Sequence, residues 1–194
     1  METFTDQEHM NLRWKRAFEQ MQSQTRRMNA LVNDLLLLSR LENEKTIAKN
    51  QIIDMPSLMN QLFDDAHAYN IDYGHTLNLD IDSHCDLIGS DMEIASAFSN
   101  LITNAIKYTP KGGTITIGWH DDGEHAYFSV QDTGIGINPK HLPRLTERFY
   151  RVDSDRSRQT GGTGLGLAIV KHVLMQHGAY LDVQSKENEG STFT

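Results

Sequence analysis

The chain has 194 residues, of which 38% are hydrophobic and 23% are charged, and its formal net charge is −8. This composition is typical of a globular domain with an appendage and excludes a disordered or fibrous protein. No apolar run approaches the roughly 18 residues needed to cross a bilayer, and we expect no signal peptide. The single cysteine, Cys85, excludes an intramolecular disulfide and favours a reducing compartment.

The negative charge is unevenly distributed along the chain. Five arginines fall within fifteen residues: Arg144, Arg148, Arg151, Arg156 and Arg158. A uniformly acidic surface would argue against nucleic acid as a ligand. On its own, the arginine run is most simply a solvated face, and further motifs are needed to assign it to a site.

The first predicted element is one long helix over residues 10–45. Apolar or small residues recur there at alternating spacings of four and three: Trp14, Phe18, Met21, Thr25, Met28, Val32, Leu35 and Ser39. Leu31, Leu38 and Leu41 lie on the flank of this heptad seam. Because one helix cannot bury such a seam alone, we expect a partner helix from a helical hairpin or an oligomeric bundle.

One helix and two strands are predicted before residue 90. Asp54 is a suitable N-cap for a helix whose first turn contains Pro56. Alternating apolar residues predict a strand at 76–81, and a shorter one is expected at 86–89. These elements open the globular part of the chain.

A third helix and a β-hairpin follow. Residues 90–93, Ser-Asp-Met-Glu, form a capping box, and the helix must end near Tyr108 because Pro110 follows. An Asp-Asp-Gly-Glu turn joins predicted strands at 114–119 and 126–131. The antiparallel hairpin argues against an all-parallel sheet.

The last part of the chain is predicted to contain a short helical piece near 139–147, a helix over 165–177 and strands at 180–184 and 191–194. Strands and helices in this order, with an antiparallel hairpin, indicate an α+β fold. We expect a two-layer α/β sandwich with one sheet faced by helices.

Two glycine-rich loops carry the first chemical signal. Residues 132–137, Asp-Thr-Gly-Ile-Gly-Ile, follow a strand, and residues 161–167, Gly-Gly-Thr-Gly-Leu-Gly-Leu, precede a helix. Glycines let backbone N–H groups approach a ligand closely, and a helix N-terminus favours phosphate. Either loop alone could be an ordinary turn.

Common phosphate-binding motifs are absent from the sequence. There is no Gly-x4-Gly-Lys-Ser/Thr, so the chain is not a P-loop NTPase. The second glycine loop lacks the dinucleotide-binding spacing, and the catalytic motifs of Ser/Thr/Tyr kinases are missing.

A third segment makes the signal specific. Asn100 and Asn104 are one helical turn apart on the same face, and Lys107 follows three residues later. Amide oxygens suit Mg²⁺, and a lysine beside them supplies a point charge for phosphate. Alone, these residues could equally be amides that cap their neighbours.

Together the three segments resemble the sensor histidine kinases of two-component systems and, more broadly, the Hsp90/gyrase/MutL ATP-binding superfamily. The family's N, G1, F, G2 and G3 boxes occur in order over residues 54–194. Residues 147–153 and 156–172 are most similar to the phosphate-regulon sensor kinases. The resemblance implies a Bergerat-type ATP-binding fold, with ATP and Mg²⁺ as ligands.

The resemblance also implies a role for individual residues. Four would be catalytic: Asn104, Lys107, Arg151 and Arg156. Nucleotide contacts are implied for a larger set: Asn100, Asn104, Lys107, Tyr108, Asp132, Gly134, Gly136, Ile137, Gly162, Thr163, Gly164, Leu165, Gly166 and Ser191. Asn104, assisted by Asn100, would hold Mg²⁺.

Within this set, Asp132 would accept a hydrogen bond from the adenine amino group. Arg151 and Arg156 would reach the γ-phosphate from a lid that the second glycine loop closes. Two residues depart mildly from the family pattern, because Ser191 replaces a usual Thr and Asn188 replaces a frequent Gly. The hydroxyl is kept, and Asn tolerates a left-handed backbone.

One departure is larger, because the family's phosphoacceptor box, His-Glu-x-x-Arg/Thr-Pro, does not occur. His9 has no following proline and is expected to be a surface residue. Residues 10–45 resemble the second helix of the dimerisation hairpin, so the expected partner helix is the one that carries the histidine. We therefore assign residues 1–47 to a remnant of that hairpin and 48–194 to an ATP-binding catalytic domain.

The implied function is transfer of the ATP γ-phosphoryl group to a histidine absent from this chain, for relay to a response-regulator aspartate in phosphate-limitation signalling. The implied partners are that regulator and a histidine-bearing dimerisation domain, with no nucleic acid. The chain alone is expected not to phosphorylate itself. We expect it to be the cytoplasmic portion of an inner-membrane kinase, attached to the membrane only through other parts.

Two alternatives remain open on the sequence. An ATPase of the same superfamily would usually need a general-base carboxylate where Asn100 stands. A non-catalytic nucleotide-sensing or regulator-docking module would use the 10–45 helix as its interaction surface. His172 and His177 are five residues apart, point different ways and receive no role.

Overall fold

The computed structural model describes residues 2–43, 51–152 and 162–194. A long helix, α1 (Glu2–Asn43), precedes an α+β domain. That domain contains α2 (Met55–Asn70), α3 (Asp91–Tyr108), a 3-10 helix (Pro139–Arg144) and α4 (Gly166–Gln176). Its strands are β1 (Gln51–Ile53), β2 (Thr76–Ile81), β3 (Leu87–Gly89), β4 (Thr114–Asp121), β5 (Ala126–Asp132), β6 (Val183–Lys186) and β7 (Gly190–Phe193). None of the helices in these ranges is long and apolar enough to cross a membrane.

The main sheet has five strands in the order β2-β4-β5-β7-β6. Strands β2 and β4 are parallel, and the other neighbours are antiparallel. Helix α3 packs against α2 and α4 and against strands β4 and β5. Strands β1 and β3 form a separate antiparallel pair. The predicted two-layer α/β sandwich is confirmed.

The core lies between this sheet and the helices. Ile115, Ile117 and Trp119 alternate on β4 and are almost completely buried. Phe98 of α3 stacks on Phe128 of β5 with ring centroids 3.7 Å apart. The apolar residues that alternate on the strands and those that recur with helical spacing on α3 therefore pack in one hydrophobic cluster. This cluster fixes the position of α3 over the sheet.

The helix starts were predicted with different success. Asp54 caps α2 as expected, because its side chain accepts hydrogen bonds from the Ser57 N–H (3.1 Å) and hydroxyl (2.7 Å). These bonds hold the pKa of Asp54 below its usual range. Helix α3 begins where the capping box predicts, but the box is wrong: the Ser90 side chain makes no cap hydrogen bond.

His177, directly after α4, supplies a hydrogen-bond acceptor that the predicted capping box would have provided. Its Nε2 accepts the Ser90 N–H at 3.3 Å, while its Nδ1 bonds the Val173 carbonyl at 2.8 Å. Both contacts are satisfied by the neutral tautomer protonated on Nδ1. Gly89 makes the approach possible, since a Cβ there would lie 2.5 Å from Nε2. The start of α3 is thereby tied to the end of α4.

Several predicted element boundaries need correction. Helix α1 already begins at Glu2. The short helical piece ends at Arg144, not 147, because the chain continues in single turns, such as the bond from the Glu147 N–H to the Arg144 carbonyl at 3.0 Å. Strand β6 begins at Val183, not 180, because the chain first leaves α4 through Gly178, whose φ is +68°.

The long helix α1 presents two different surfaces. Seam residues Trp14, Phe18 and Met28 are between 59% and 68% exposed, whereas the flanking Leu38 and Leu41 are 2% and 5% exposed and belong to the core. The flank therefore packs on the α+β domain and the seam does not. The expectation of a partner helix for the seam stays a prediction.

Candidate functional site

A cavity of about 300 Å³ lies beside α3, between the loop after β5 and the N-terminus of α4. Thirteen of the predicted site residues line it: Asn100, Asn104, Lys107, Tyr108, Asp132, Gly136, Ile137, Arg151, Gly162, Thr163, Gly164, Gly166 and Ser191. The fold thus gathers into one pocket residues from all the predicted boxes. Arg156 lies outside the described residues.

Two predicted residues lie behind the cavity wall. The side chain of Leu165 is completely buried in the core and anchors the start of α4, so it does not line the cavity. Gly134 is also behind the wall, where its N–H donates to Asp132 Oδ1 at 2.7 Å. A Cβ at Gly134 would overlap this carboxylate and lie 2.8 Å from the Tyr108 carbonyl oxygen. Both residues shape the pocket from behind.

Asp132, the last residue of β5, forms one end of the cavity. It is 6% exposed, and burial raises the pKa of its carboxyl, while hydrogen bonds from the backbone of Gly134 and Ser191 partly oppose the rise. A buried carboxylate with spare acceptor capacity favours a ligand that donates a hydrogen bond.

The loop after Asp132 is held on both sides by backbone hydrogen bonds. The Ile135 N–H donates to the Tyr108 carbonyl at 3.1 Å, and the Asn188 N–H donates to the Ile135 carbonyl at 2.8 Å. Asn188 has a φ of +62°, the left-handed conformation expected for it. Gly136 has a φ of +63°, and a Cβ there would overlap the Lys186 carbonyl. Contacts within the domain therefore define the shape of this end of the cavity.

The other end of the cavity is rich in positive charge. Burial lowers the pKa of Lys107, and Asp34 partly opposes that shift. Arg151 has a buried Nη2 that finds no acceptor within the part of the chain that the structure describes. A buried guanidinium nitrogen without a partner is costly, and a phosphate oxygen would satisfy it. This end fits the phosphates of a nucleotide.

The second glycine loop closes this end through tight backbone contacts. Gly164, with a φ of +75°, accepts the Phe149 N–H at 2.8 Å. Phe149 has a φ of +62°, a conformation that is uncommon for a residue with a side chain. A Cβ at Gly166 would lie 2.5 Å from Asn100 Oδ1, so only glycine lets α4 begin this close to α3.

Two amides on α3 are the candidate metal ligands. Asn100 and Asn104 both line the cavity, and the Asn100 Nδ2 donates to the Ser96 carbonyl at 2.9 Å. Over 2–43, 51–152 and 162–194, no cluster of His, Cys, Asp or Glu is arranged to hold a metal ion. A cation here would therefore be held by amide and phosphate oxygens, a donor set that suits Mg²⁺.

Asp34 of α1 is a site residue that the sequence analysis did not find. It lines the cavity together with Ala30, and its Oδ2 accepts a hydrogen bond from the Thr163 hydroxyl at 2.8 Å. Burial raises the pKa of Asp34, whereas Thr163 and Lys107 lower it. The available signal was the position of this acid one helical turn before Leu38, on the flank of α1 that packs on the domain.

Tyr150 is a second lining residue that was missed. Its hydroxyl lies 2.6 Å from His141 Nδ1, and the Arg144 guanidinium lies over its ring, 4.2 Å from the centroid. These contacts attach the segment that contains Arg151 to the 3-10 helix.

Comparison with known proteins identifies the class of this fold and site. Residues 89–194 match the family described as histidine kinase-, DNA gyrase B-, and HSP90-like ATPase. The match covers more than half of the chain, which therefore belongs to this family.

Individual relatives show which branch of the family this chain is similar to. The chain is 53% identical, over its whole length, to the phosphate regulon sensor protein PhoR of Pseudomonas aeruginosa, and 40% identical to PhoR of Haemophilus influenzae. It spans 44% and 45% of those two proteins. Among solved structures, full-length ShkA in complex with AMPPNP matches with a TM-score of 0.71 and 26% identity, over 84% of this chain and 34% of that one. The predicted resemblance to sensor histidine kinases, and to their phosphate-regulon branch, is confirmed.

Proposed function

We propose that this chain is the ATP-binding catalytic part of a phosphate-regulon type of sensor histidine kinase. The observation that carries the proposal is the chemistry of the two ends of one cavity. Asp132, a buried carboxylate, forms one end, and the other is formed by half-buried Lys107 and by Arg151, whose buried Nη2 has no acceptor among the described residues. An adenine amino group suits the first end and a polyphosphate suits the second.

In this proposal the chain contributes binding, orientation and charge. Asp132 accepts the adenine amino group, while Lys107 and Arg151 neutralise charge that develops on the transferred phosphoryl group. Asn104 and Asn100 would hold Mg²⁺, which supplies further positive charge at the phosphate oxygens when bound. The N-terminus of α4 behind Gly162 and Gly164 adds backbone N–H donors.

Phosphoryl transfer is favoured over hydrolysis by the chemistry of Asn100. An amide cannot take a proton from water, so α3 offers no general base at the position where related ATPases use a carboxylate. The acceptor that fits is a histidine on a separate dimerisation helix. The exposed seam of α1, with Trp14 and Phe18, supports pairing with that helix.

The proposal extends to the intact kinase. A response-regulator aspartate would receive the phosphoryl group, and the two helices of the hairpin would dimerise. The signal would be phosphate limitation, and this chain would lie on the cytoplasmic side of an inner-membrane sensor. The similarity to PhoR over the whole chain supports this assignment.

Titration with Mg·ATP, followed by a transfer assay, tests the proposal. The chain should bind Mg·ATP and acquire no acid-labile phosphate alone, but it should phosphorylate an added histidine-bearing dimerisation domain. Asp132→Ala should lose binding, and Asp80→Asn, an exposed carboxylate on β2, is the matched control. Acid-labile phosphate on the chain alone, or ATP binding that survives Asp132→Ala, would contradict it.

A further inference from the structure

The end of α1 lies across the part of the cavity that the proposed function assigns to phosphate. Its docking is specific: the Leu41 carbonyl accepts a hydrogen bond from Gln176 Nε2 at 2.6 Å, and Glu42 forms an ion pair with Arg148. Leu38 and Leu41 are buried beneath it. The helix therefore has a defined position, and so does Asp34, about two turns before Leu41 and Glu42.

Asp34 acts on two groups that a terminal phosphate would use, one through a hydrogen bond and one through its charge. Its Oδ2 accepts the Thr163 hydroxyl, 2.8 Å away, and its charge acts on Lys107. The carboxylate is half-buried, so water screens its charge only in part. A carboxylate and a phosphate oxygen are both anionic acceptors, and both cannot occupy the same place.

Two properties of this carboxylate separate its effects on ATP and on ADP. It repels additional negative charge close by, and it already accepts the Thr163 hydroxyl and offsets the charge of Lys107. The γ-phosphate must enter this end of the cavity, whereas ADP ends one phosphate earlier. The adenine end, around Asp132, lies within the α+β domain and does not depend on α1.

Resting on the proposed function, we propose that Asp34 is a specificity-determining residue of the nucleotide site. While α1 is docked, its carboxylate takes the place of the terminal phosphate and shifts the preference of the site from ATP towards ADP. Release of α1, or loss of the Asp34 charge, restores the preference for ATP.

The test measures the affinity of the full chain for ATP and for ADP, each with Mg²⁺, by calorimetry. Asp34→Asn keeps the shape and one acceptor oxygen but removes the charge. We expect it to strengthen ATP binding about tenfold and to change ADP binding less than twofold, because only the γ-phosphate meets the carboxylate. The control Asp80→Asn removes an exposed charge on β2 and should leave both affinities unchanged.

A second variant tests the role of docking. Leu38→Ser with Leu41→Ser should release α1, and circular dichroism checks that the chain stays folded. It should raise the ATP-to-ADP affinity ratio as Asp34→Asn does, and the combined variant should show no further gain, because both changes remove one interaction.

The outcomes distinguish this inference from the proposed function. An unchanged ATP-to-ADP ratio in Asp34→Asn, with both nucleotides bound, would overturn the inference alone. So would weaker ATP binding, which would mean that the carboxylate assists a bound cation. If neither the original chain nor Asp34→Asn binds either nucleotide, the proposed function fails and the inference fails with it.

Discussion

The two ends of the cavity are built in different ways. The Asp132 end is made from neighbouring strands and a loop whose backbone hydrogen bonds are already paired, through Ile135 and Asn188. The opposite end is assembled from distant pieces: Lys107 on α3, Arg151 near the 3-10 helix, Thr163 before α4 and Asp34 on α1. The first end is preformed by the domain itself, and the second depends on how separate parts are arranged.

The two ends are therefore expected to have different roles in nucleotide binding. A preformed end provides affinity that does not change with the state of the protein. An end assembled from separate segments can change when one segment moves, because the movement removes that segment's charge or hydrogen bond from the others. Asp34, which satisfies Thr163 and offsets the charge of Lys107, is the clearest example.

The largest expected effect is at the preformed end. Asp132→Ala removes the buried acceptor for the adenine amino group, so we expect affinity for ATP and for ADP to fall equally, by about 100-fold. Calorimetry with both nucleotides measures this. A loss confined to ATP would contradict the assignment of Asp132 to the end that both ligands share.

A backbone substitution tests whether that end is preformed. Gly136→Ala adds a Cβ that overlaps the Lys186 carbonyl at a φ of +63°, so we expect a loss of about 2 kcal/mol in the free energy of unfolding. The matched control is Gly123→Ala in the hairpin turn, where φ is +88° but none of the described residues has an atom within 4 Å of the new Cβ. It should cost only about 1 kcal/mol, the backbone penalty alone. Equal losses in urea denaturation would mean that the contact with Lys186 does not restrain the loop.

The sequence predicts the preformed end better than the assembled one, for a physical reason. The glycine loop at 132–137, the strand before it and the helix that ends at Tyr108 all have signals within a few residues of the structure they specify. Their meeting in one cavity followed from the resemblance to a known family. The local sequence patterns and the family motifs therefore gave the same prediction for this end of the cavity.

The contacts that were missed join residues far apart in the chain. Asp34 and Thr163 are separated by 129 positions, and their contact depends on which flank of α1 docks on the domain. The capping box at 90–93 failed for a similar reason, because His177, 87 positions later, supplies the acceptor for the Ser90 N–H. No local pattern contains such information, since competition between partners is settled only by tertiary packing.

A smaller effect is expected from removing the positive charge of Arg151 at the assembled end. Arg151→Met takes away a buried donor that lacks an acceptor among the described residues, so the free energy of unfolding without ligand should not fall. Affinity for ATP should fall about tenfold, because a charged hydrogen bond to phosphate is lost. Thermal denaturation and calorimetry measure the two quantities.

Lys140→Met is a suitable control for that experiment. Lys140 is an exposed positive charge on the 3-10 helix and does not line the cavity. It should leave ATP affinity nearly unchanged. If Arg151→Met instead destabilises the ligand-free chain strongly, the Arg151 guanidinium already has a partner within the protein. Its buried Nη2 would then not be available to bind a phosphate oxygen.

The smallest effect concerns the pH dependence of stability at the preformed end. Because burial raises the pKa of Asp132, the folded chain keeps this proton to a higher pH than the unfolded chain, whose carboxyl titrates near 3.8. The contribution of this group to the free energy of unfolding is therefore greatest below that pH and falls as the pH rises through the folded pKa. Asp132→Asn cannot titrate, so its stability relative to the original chain should rise across the same window and then stay constant. Urea denaturation without nucleotide, repeated from acid to neutral pH, measures the difference. A difference that falls with rising pH would show that backbone hydrogen bonds outweigh burial at Asp132, and that this end is preformed around a carboxylate already satisfied without ligand.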